Sequence, residues 1–167
     1  WIADQAPCPL AMDPLSASKS EKARPVLSRL TYFKPNRAEA ERLCGFAIPT
    51  PAKIRAALDW FAGQGVEETV LSLGAQGTAV GTGQQRLLMT LDPLEPVNTT
   101  GAGDCFFAVY VSLRTQGASI ADAAECAAAG AALTLSDPLS VSPLLNRQAL
   151  TLWRSRLHCR WLDLNRV

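Results

Sequence analysis

Four consecutive residues, Gly101-Ala102-Gly103-Asp104, combine the features needed to handle a phosphate group. Glycines let the backbone approach a ligand with no Cβ in the way. Where such a loop opens a helix, the free N–H groups and the helix dipole favour an anion. The apolar run Cys105–Val111 that follows has the composition of that helix. An aspartate at this place repels the anion the loop attracts, so it calls for a task. A carboxylate there can take the proton of a hydroxyl as that hydroxyl attacks a γ-phosphate, while the loop amides absorb charge in the transition state. An acid in a first helical turn also stabilises the helix without any chemistry, and the four residues alone leave both readings open. A dinucleotide-binding fold fits poorly, because Asp104 follows Gly103 and Phe106 stands where a third glycine belongs.

Three weaker signals accompany this loop. Asn36 and Glu39 place an amide and a carboxylate on one helical face, able to point together at a hydrated magnesium ion. By itself the pair is an ordinary helix-cap pattern. Ser72-Leu73-Gly74-Ala75-Gln76-Gly77 is a glycine-bounded turn after an apolar strand. The alanine-rich stretch Ile120–Leu135, with Ala128 and Ala131 in its middle, suits either close helix packing or a flat ligand.

The elements that must position these residues follow from pattern. Leu10-Ala11-Met12 reads as a short buried strand stopped by Asp13-Pro14, and a polar helix is predicted from about Ser18 to Leu30. Thr31–Lys34 is a strand, after which Asn36 caps a helix from Arg37 to Cys44 closed by Gly45. Thr50-Pro51 opens a helix whose Ile54, Ala57, Leu58 and Phe61 share one face, ending at Gly63 and Gly65. Thr69–Leu73 is a strand, and Thr78–Gly81 and Arg86–Thr90 form a hairpin around residues 82–85. Ser119 caps the alanine-rich helix, and Ser142-Pro143 starts a last helix through Leu157, with a mixed tail from Arg160. Three strand-then-helix transitions argue for an α/β sandwich with a largely parallel sheet.

Composition removes several function classes. Sixteen Lys and Arg against fifteen Asp and Glu leave a net charge of +1, without the basic footprint of a nucleic-acid or anionic-membrane binder. No apolar run is long enough to span a bilayer. The single histidine, His158, rules out a zinc site built on several imidazoles. Five widely spaced cysteines, none in a Cys-x-x-Cys pair, read as reduced thiols of a cytoplasmic protein. The 167 residues suit one domain. The start at Trp1, with no signal-peptide pattern, is expected of a processed product or a piece of a longer protein.

The stretch Asn98-Thr99-Thr100-Gly101-Ala102-Gly103-Asp104-Cys105-Phe106 resembles the C-terminal signature of the ribokinase-like (PfkB) carbohydrate kinases. The resemblance implies that Asp104 is the catalytic base and that Gly101, Ala102 and Gly103 form the anion hole. Lys34-Pro35-Asn36-Arg37-Ala38-Glu39 resembles the family's Asn-x-x-Glu motif, implying that Asn36 and Glu39 organise Mg²⁺ and phosphate through water. The Ser72–Gly77 turn is similar to the family's Gly-x-x-Gly turn. This implies that Ser72, Gly74 and Gly77, with the Ala127–Ala131 helix including Ala128 and Ala131, meet ATP. Asn98 stands where the broader family has an aspartate beside a monovalent cation, so a K⁺ site using Asn98 and the Thr100 carbonyl is expected to be weakened. Within the family, Asp13-Pro14-Leu15-Ser16-Ala17-Ser18-Lys19 resembles a segment of the pseudouridine kinases.

The implied fold is a ribokinase-like α/β/α sandwich with a mostly parallel sheet. It is truncated to the C-terminal half, with residues 1–167 forming one domain and 143–167 a weakly defined tail. The N-terminal half of the family supplies a Gly-Gly substrate motif and a lid that often makes a homodimer, and neither pattern occurs in this sequence. The implied activity is ATP-dependent phosphorylation of a sugar or nucleoside hydroxyl. The alternative is a non-catalytic remnant that at most binds adenine nucleotide.

Overall fold

The computed structural model describes residues 2–167, which fall into two compact units. The first comprises the chain up to Thr90 together with Trp161–Val167; the second is Leu91–Arg160.

The first unit is built on a sheet in the order β1 (Ala11–Met12), β2 (Tyr32–Phe33), β3 (Glu68–Ser72), β4 (Thr78–Thr82), β5 (Gln85–Leu91) and β6 (Cys159–Asp163). β1, β2 and β3 run parallel, with Met12 opposite Phe33 and Phe33 opposite Thr69. Parallel neighbours need long crossovers, and helices supply them. α2 (Ala17–Ser20) and a 3₁₀ helix (Glu21–Arg29) join β1 to β2. α3 (Arg37–Cys44) and α4 (Pro51–Gly63) join β2 to β3. The short links around Gly74 and Gly83 permit only antiparallel pairing, so β3, β4 and β5 form a meander. The α/β sandwich predicted from the strand-helix alternation is observed. Its sheet is mixed, parallel at the start and antiparallel where the connections shorten.

Local chemistry explains the helix ends. Thr50 Oγ1 accepts from Lys53 N and Pro51 occupies the first turn of α4. Gly45, at φ +78°, closes α3 with its N–H on the Glu41 carbonyl. Residues 18–30, predicted as one α-helix, are instead a single α turn followed by the 3₁₀ stretch. Pro25 has no N–H to give to an α ladder. The core sits between these helices and the sheet, with Leu27, Phe33, Leu43, Ile48, Leu58, Phe61 and Leu71 buried. Leu164, in the tail, is fully buried in the same core.

The second unit is helical: α1 (Ile2–Gln5) belongs to the first unit, and here α5 (Ala102–Thr115), α6 (Ile120–Leu135) and α7 (Arg147–Arg154) pack in sequence. Small residues on α6 allow the close approach. A Cβ on Gly130 would come 3.1 Å from Cys105 Sγ and 3.3 Å from Val109 and Leu150. The last helix is shorter than predicted, because Asn146 caps it through Ala149 N and Ser142 forms a turn with Leu145 instead. No helix among the described residues is long and apolar enough to cross a membrane.

Candidate active site

In the first unit, the ends of three neighbouring parallel strands gather polar residues. Asp13 follows β1, Lys34 follows β2 and Ser72 ends β3. In α/β sheets this carboxyl edge is where ligands bind. Asn36 forms a parallel bridge with Ser72, whose N–H donates to the Pro35 carbonyl at 3.0 Å. Asn36 and Glu39 make a complete capping box: Glu39 N donates to Asn36 Oδ1 at 3.0 Å, and Asn36 N donates to Glu39 Oε2 at 2.8 Å.

Glu39 is 2% exposed. Burial pushes its carboxyl above the usual carboxylate range, and the Asn36 N–H opposes that shift. The nearby Asp13 charge raises it further, and Lys34 lowers it. Its second oxygen, Oε1, accepts no hydrogen bond among the described residues. No buried side-chain oxygen there lacks a partner, so this atom reaches solvent. A carboxylate oxygen without a hydrogen-bond donor is a ligand type that suits a hydrated magnesium ion, which keeps its waters and takes few protein ligands. Among the described residues no cluster of three or more His, Cys, Asp or Glu is placed to hold a metal.

The Gly74–Gln76 turn lies beside this edge. Gly74, at φ +61°, has open space where a Cβ would stand. Gly77, at φ +100°, has a structural reason to be glycine: a Cβ would sit 2.0 Å from the Met89 carbonyl oxygen on β5. Arg37 fastens the turn, its guanidinium donating to the Gln76 side chain and to the Ile48 carbonyl.

In the second unit, residues 97–104 form the loop that opens α5. Val97 N and Asn98 N donate to the Leu135 carbonyl at 2.7 and 3.2 Å. The Asn98 amide staples the loop, accepting from Thr100 N at 2.9 Å and donating to the Pro138 carbonyl at 3.0 Å. Gly101 caps the helix at φ +84° without a side-chain bond, which leaves the first-turn N–H groups without a capping side chain. Asp104 occupies that first turn, exposed, with no hydrogen bond or ion pair among the described residues. Ala128 is buried in the helix packing and Ala131 is half-buried.

Each unit thus brings its own set together: Asn36, Glu39, Ser72 and Gly74 in one, Asn98, Thr100 and Gly101–Asp104 in the other. Sequence reasoning assigned no role to the Asp13–Lys34 ion pair, whose Oδ2 and Nζ are 2.7 Å apart with Lys34 buried. The signal was present in the order of the elements, since residues that directly follow neighbouring parallel strands must lie side by side.

Residues 1–147 match the pfkB family carbohydrate kinase. The chain belongs to that family. The family's members, which include pseudouridine kinase and ribokinase, are phosphotransferases acting on sugars and nucleosides. The pseudouridine kinase of Escherichia coli (strain K12) is 32% identical over 149 residues, covering 87% of this chain and 47% of that protein. A Clostridium perfringens structure assigned to the sugar kinases superposes with a TM-score of 0.89 at 25% identity, covering 93% of this chain and 49% of that one. Arabidopsis thaliana ribokinase complexed with ribose and ATP gives a TM-score of 0.69 at 26% identity, over 78% of this chain and 43% of that one. The ribokinase-like fold is therefore shared, and the chain spans about half the length of the relatives it matches.

Proposed function

We propose that this chain supplies the nucleotide-binding and base-bearing part of an ATP-dependent sugar or nucleoside kinase with a pseudouridine-like acceptor. The observation that carries the reading is the exposed, unpaired Asp104 carboxylate in the first turn of α5, directly after the Gly101 cap. A carboxylate held only for helix stability needs nothing else nearby. This one stands among open N–H groups that favour an anion.

In this reading the amides of Gly101, Ala102 and Gly103 stabilise charge on the transferring phosphoryl group, and Asp104 accepts the acceptor's hydroxyl proton. Ser72, Gly74 and Gly77 form the turn that meets the ATP phosphates, and the α6 stretch with Ala128 and Ala131 meets the adenine. Asn36 and Glu39 Oε1 hold the water shell of Mg²⁺, which when bound neutralises the triphosphate. Asn98 is a loop staple, so K⁺ dependence is expected to be weak.

The second reading is that the chain binds adenine nucleotide without turning it over. Calorimetric titration of ATP·Mg²⁺ into the purified chain tests both, with Asp104→Asn and Gly103→Val alongside. Saturable binding kept in Asp104→Asn and lost in Gly103→Val supports the kinase reading. Turnover of pseudouridine on co-expression with the N-terminal half of a relative would separate it from the second. A folded chain that binds no nucleotide overturns both.

A further inference from the structure

At the carboxyl edge of β1 and β2, three charged side chains lie among the described residues, two buried and one half-buried. Asp13 and Glu39 are carboxylates and Lys34 is an ammonium. The Lys34 side chain is 7% exposed and that of Asp13 23%, and their ion pair is 2.7 Å long. Both Asp13 oxygens are committed: Oδ2 accepts from Lys34, and Oδ1 accepts from Leu15 N at 3.1 Å. That second bond fixes a turn in which Leu15 takes a left-handed φ of +67°, rare for a branched side chain. The backbone repeats the link, with Lys34 N donating to the Met12 carbonyl at 2.9 Å. Asp13 and Lys34 follow the paired strands β1 and β2, Glu39 stands in the first turn of the helix that Lys34 leads into, and the charge of Asp13 raises its carboxyl while that of Lys34 lowers it.

Two carboxylates and an amide oxygen at one sheet edge, with no cation among them, would attract a divalent ion. A lysine buried among them is otherwise unexpected, since its ammonium gives up hydration to be there. We propose that Lys34 is an internal counter-cation of the Asn36–Glu39 site. Its ammonium takes the charge of Asp13, so the cluster offers a divalent cation one net negative charge. That is too little to hold the ion without the phosphates of a nucleotide. The device makes the site respond to the metal–nucleotide complex and not to the free ion. It rests on the reading of Asn36 and Glu39 as the Mg²⁺ site given above.

The test is nucleotide-free binding of Mn²⁺, a magnesium surrogate visible by electron paramagnetic resonance, to the full chain. Lys34→Met frees Asp13 and raises the net charge to −2, so Mn²⁺ affinity should tighten at least about tenfold over the unsubstituted chain. Lys34→Arg keeps the cation and should stay weak. Asp13→Asn with Lys34→Met restores one net negative charge and should return to the weak affinity. Glu39→Gln added to Lys34→Met should abolish the gain.

Unchanged or weaker Mn²⁺ binding in folded Lys34→Met overturns the proposal, as does a gain that survives Glu39→Gln. If Lys34→Met folds only with metal, recovery of its helical circular dichroism by submillimolar Mn²⁺ supports the proposal, and no recovery overturns it. The ATP·Mg²⁺ titration on the unsubstituted chain reads the kinase proposal separately. Its failure leaves the Mn²⁺ comparison interpretable.

Discussion

A Cβ built on Gly101 would lie 1.9 Å from the carbonyl oxygen of Ser140, so the loop that opens α5 is pressed against the segment that follows α6. With φ at +84°, this position excludes every side chain on two grounds, the left-handed backbone and the backbone neighbour. Gly101→Ala should therefore cost about 2–4 kcal/mol, combining left-handed strain with overpacking. Thermal unfolding should show the midpoint falling by roughly 5–15 °C for a domain of this size. A midpoint within 2 °C of the parent would mean that the Ser140 segment yields freely.

Asp104 gives the opposite expectation. It is exposed and unpaired among the described residues, so Asp104→Asn should change stability by less than about 1 kcal/mol, the scale of a helix-dipole contact. In an active enzyme containing this chain, turnover should drop roughly 10²–10⁴-fold with ATP affinity nearly intact. Steady-state kinetics beside ATP titration check this, and an unchanged kcat removes the base role.

The two glycines of the turn after β3 should behave differently. Gly77→Ala drives a Cβ into the Met89 carbonyl, so the β3–β4–β5 meander should be destabilised whether or not nucleotide is present. Gly74→Ala meets open space and carries only the backbone strain of φ +61°, about 1–2 kcal/mol. If the turn approaches phosphate, Gly74→Ala should weaken ATP binding more than it weakens the fold. Equal losses in both measurements would make Gly74 purely structural.

Glu39 predicts a pH dependence. Its carboxyl is raised in the folded chain above the ordinary value of 4.5, chiefly by burial, so the folded state holds a proton that the unfolded state has released. Its contribution is fully present below pH 4.5 and is lost as pH climbs through the raised value. Glu39→Gln should flatten the urea-unfolding free energy across that window, whereas the parent's falls. If the two profiles run parallel, Glu39 titrates as an exposed acid.

Much of this architecture was legible because it is encoded locally. Asn36 before a helix, Gly45 after one, Pro51 at a first turn and Gly101–Asp104 ahead of an apolar run each act through neighbours a few residues away. Where a local signal is weak or contradicted, the structure departs from the pattern. Pro25 turned an expected α-helix into a 3₁₀ stretch, and Ser142-Pro143 lost the last helix start to Asn146. The tail carried no pattern that distinguishes β6, since Trp161 and Leu162 are adjacent apolar residues with no clean alternation.

The sequence alone determined the strands and helices between Ala11 and Leu135, the glycine loop, the helix cap at Asn36 and the family resemblance, since each depends on residues close in the chain. Only the tertiary structure decided that Lys34 meets Asp13, that the Met89 carbonyl leaves no room for a Cβ at Gly77 and the Ser140 carbonyl none at Gly101, and that Leu164 reaches the core of the first unit. Those relationships join positions far apart in sequence. They are set by which strands and helices become neighbours, a choice made by burying many apolar faces at once and not by any single stretch of residues.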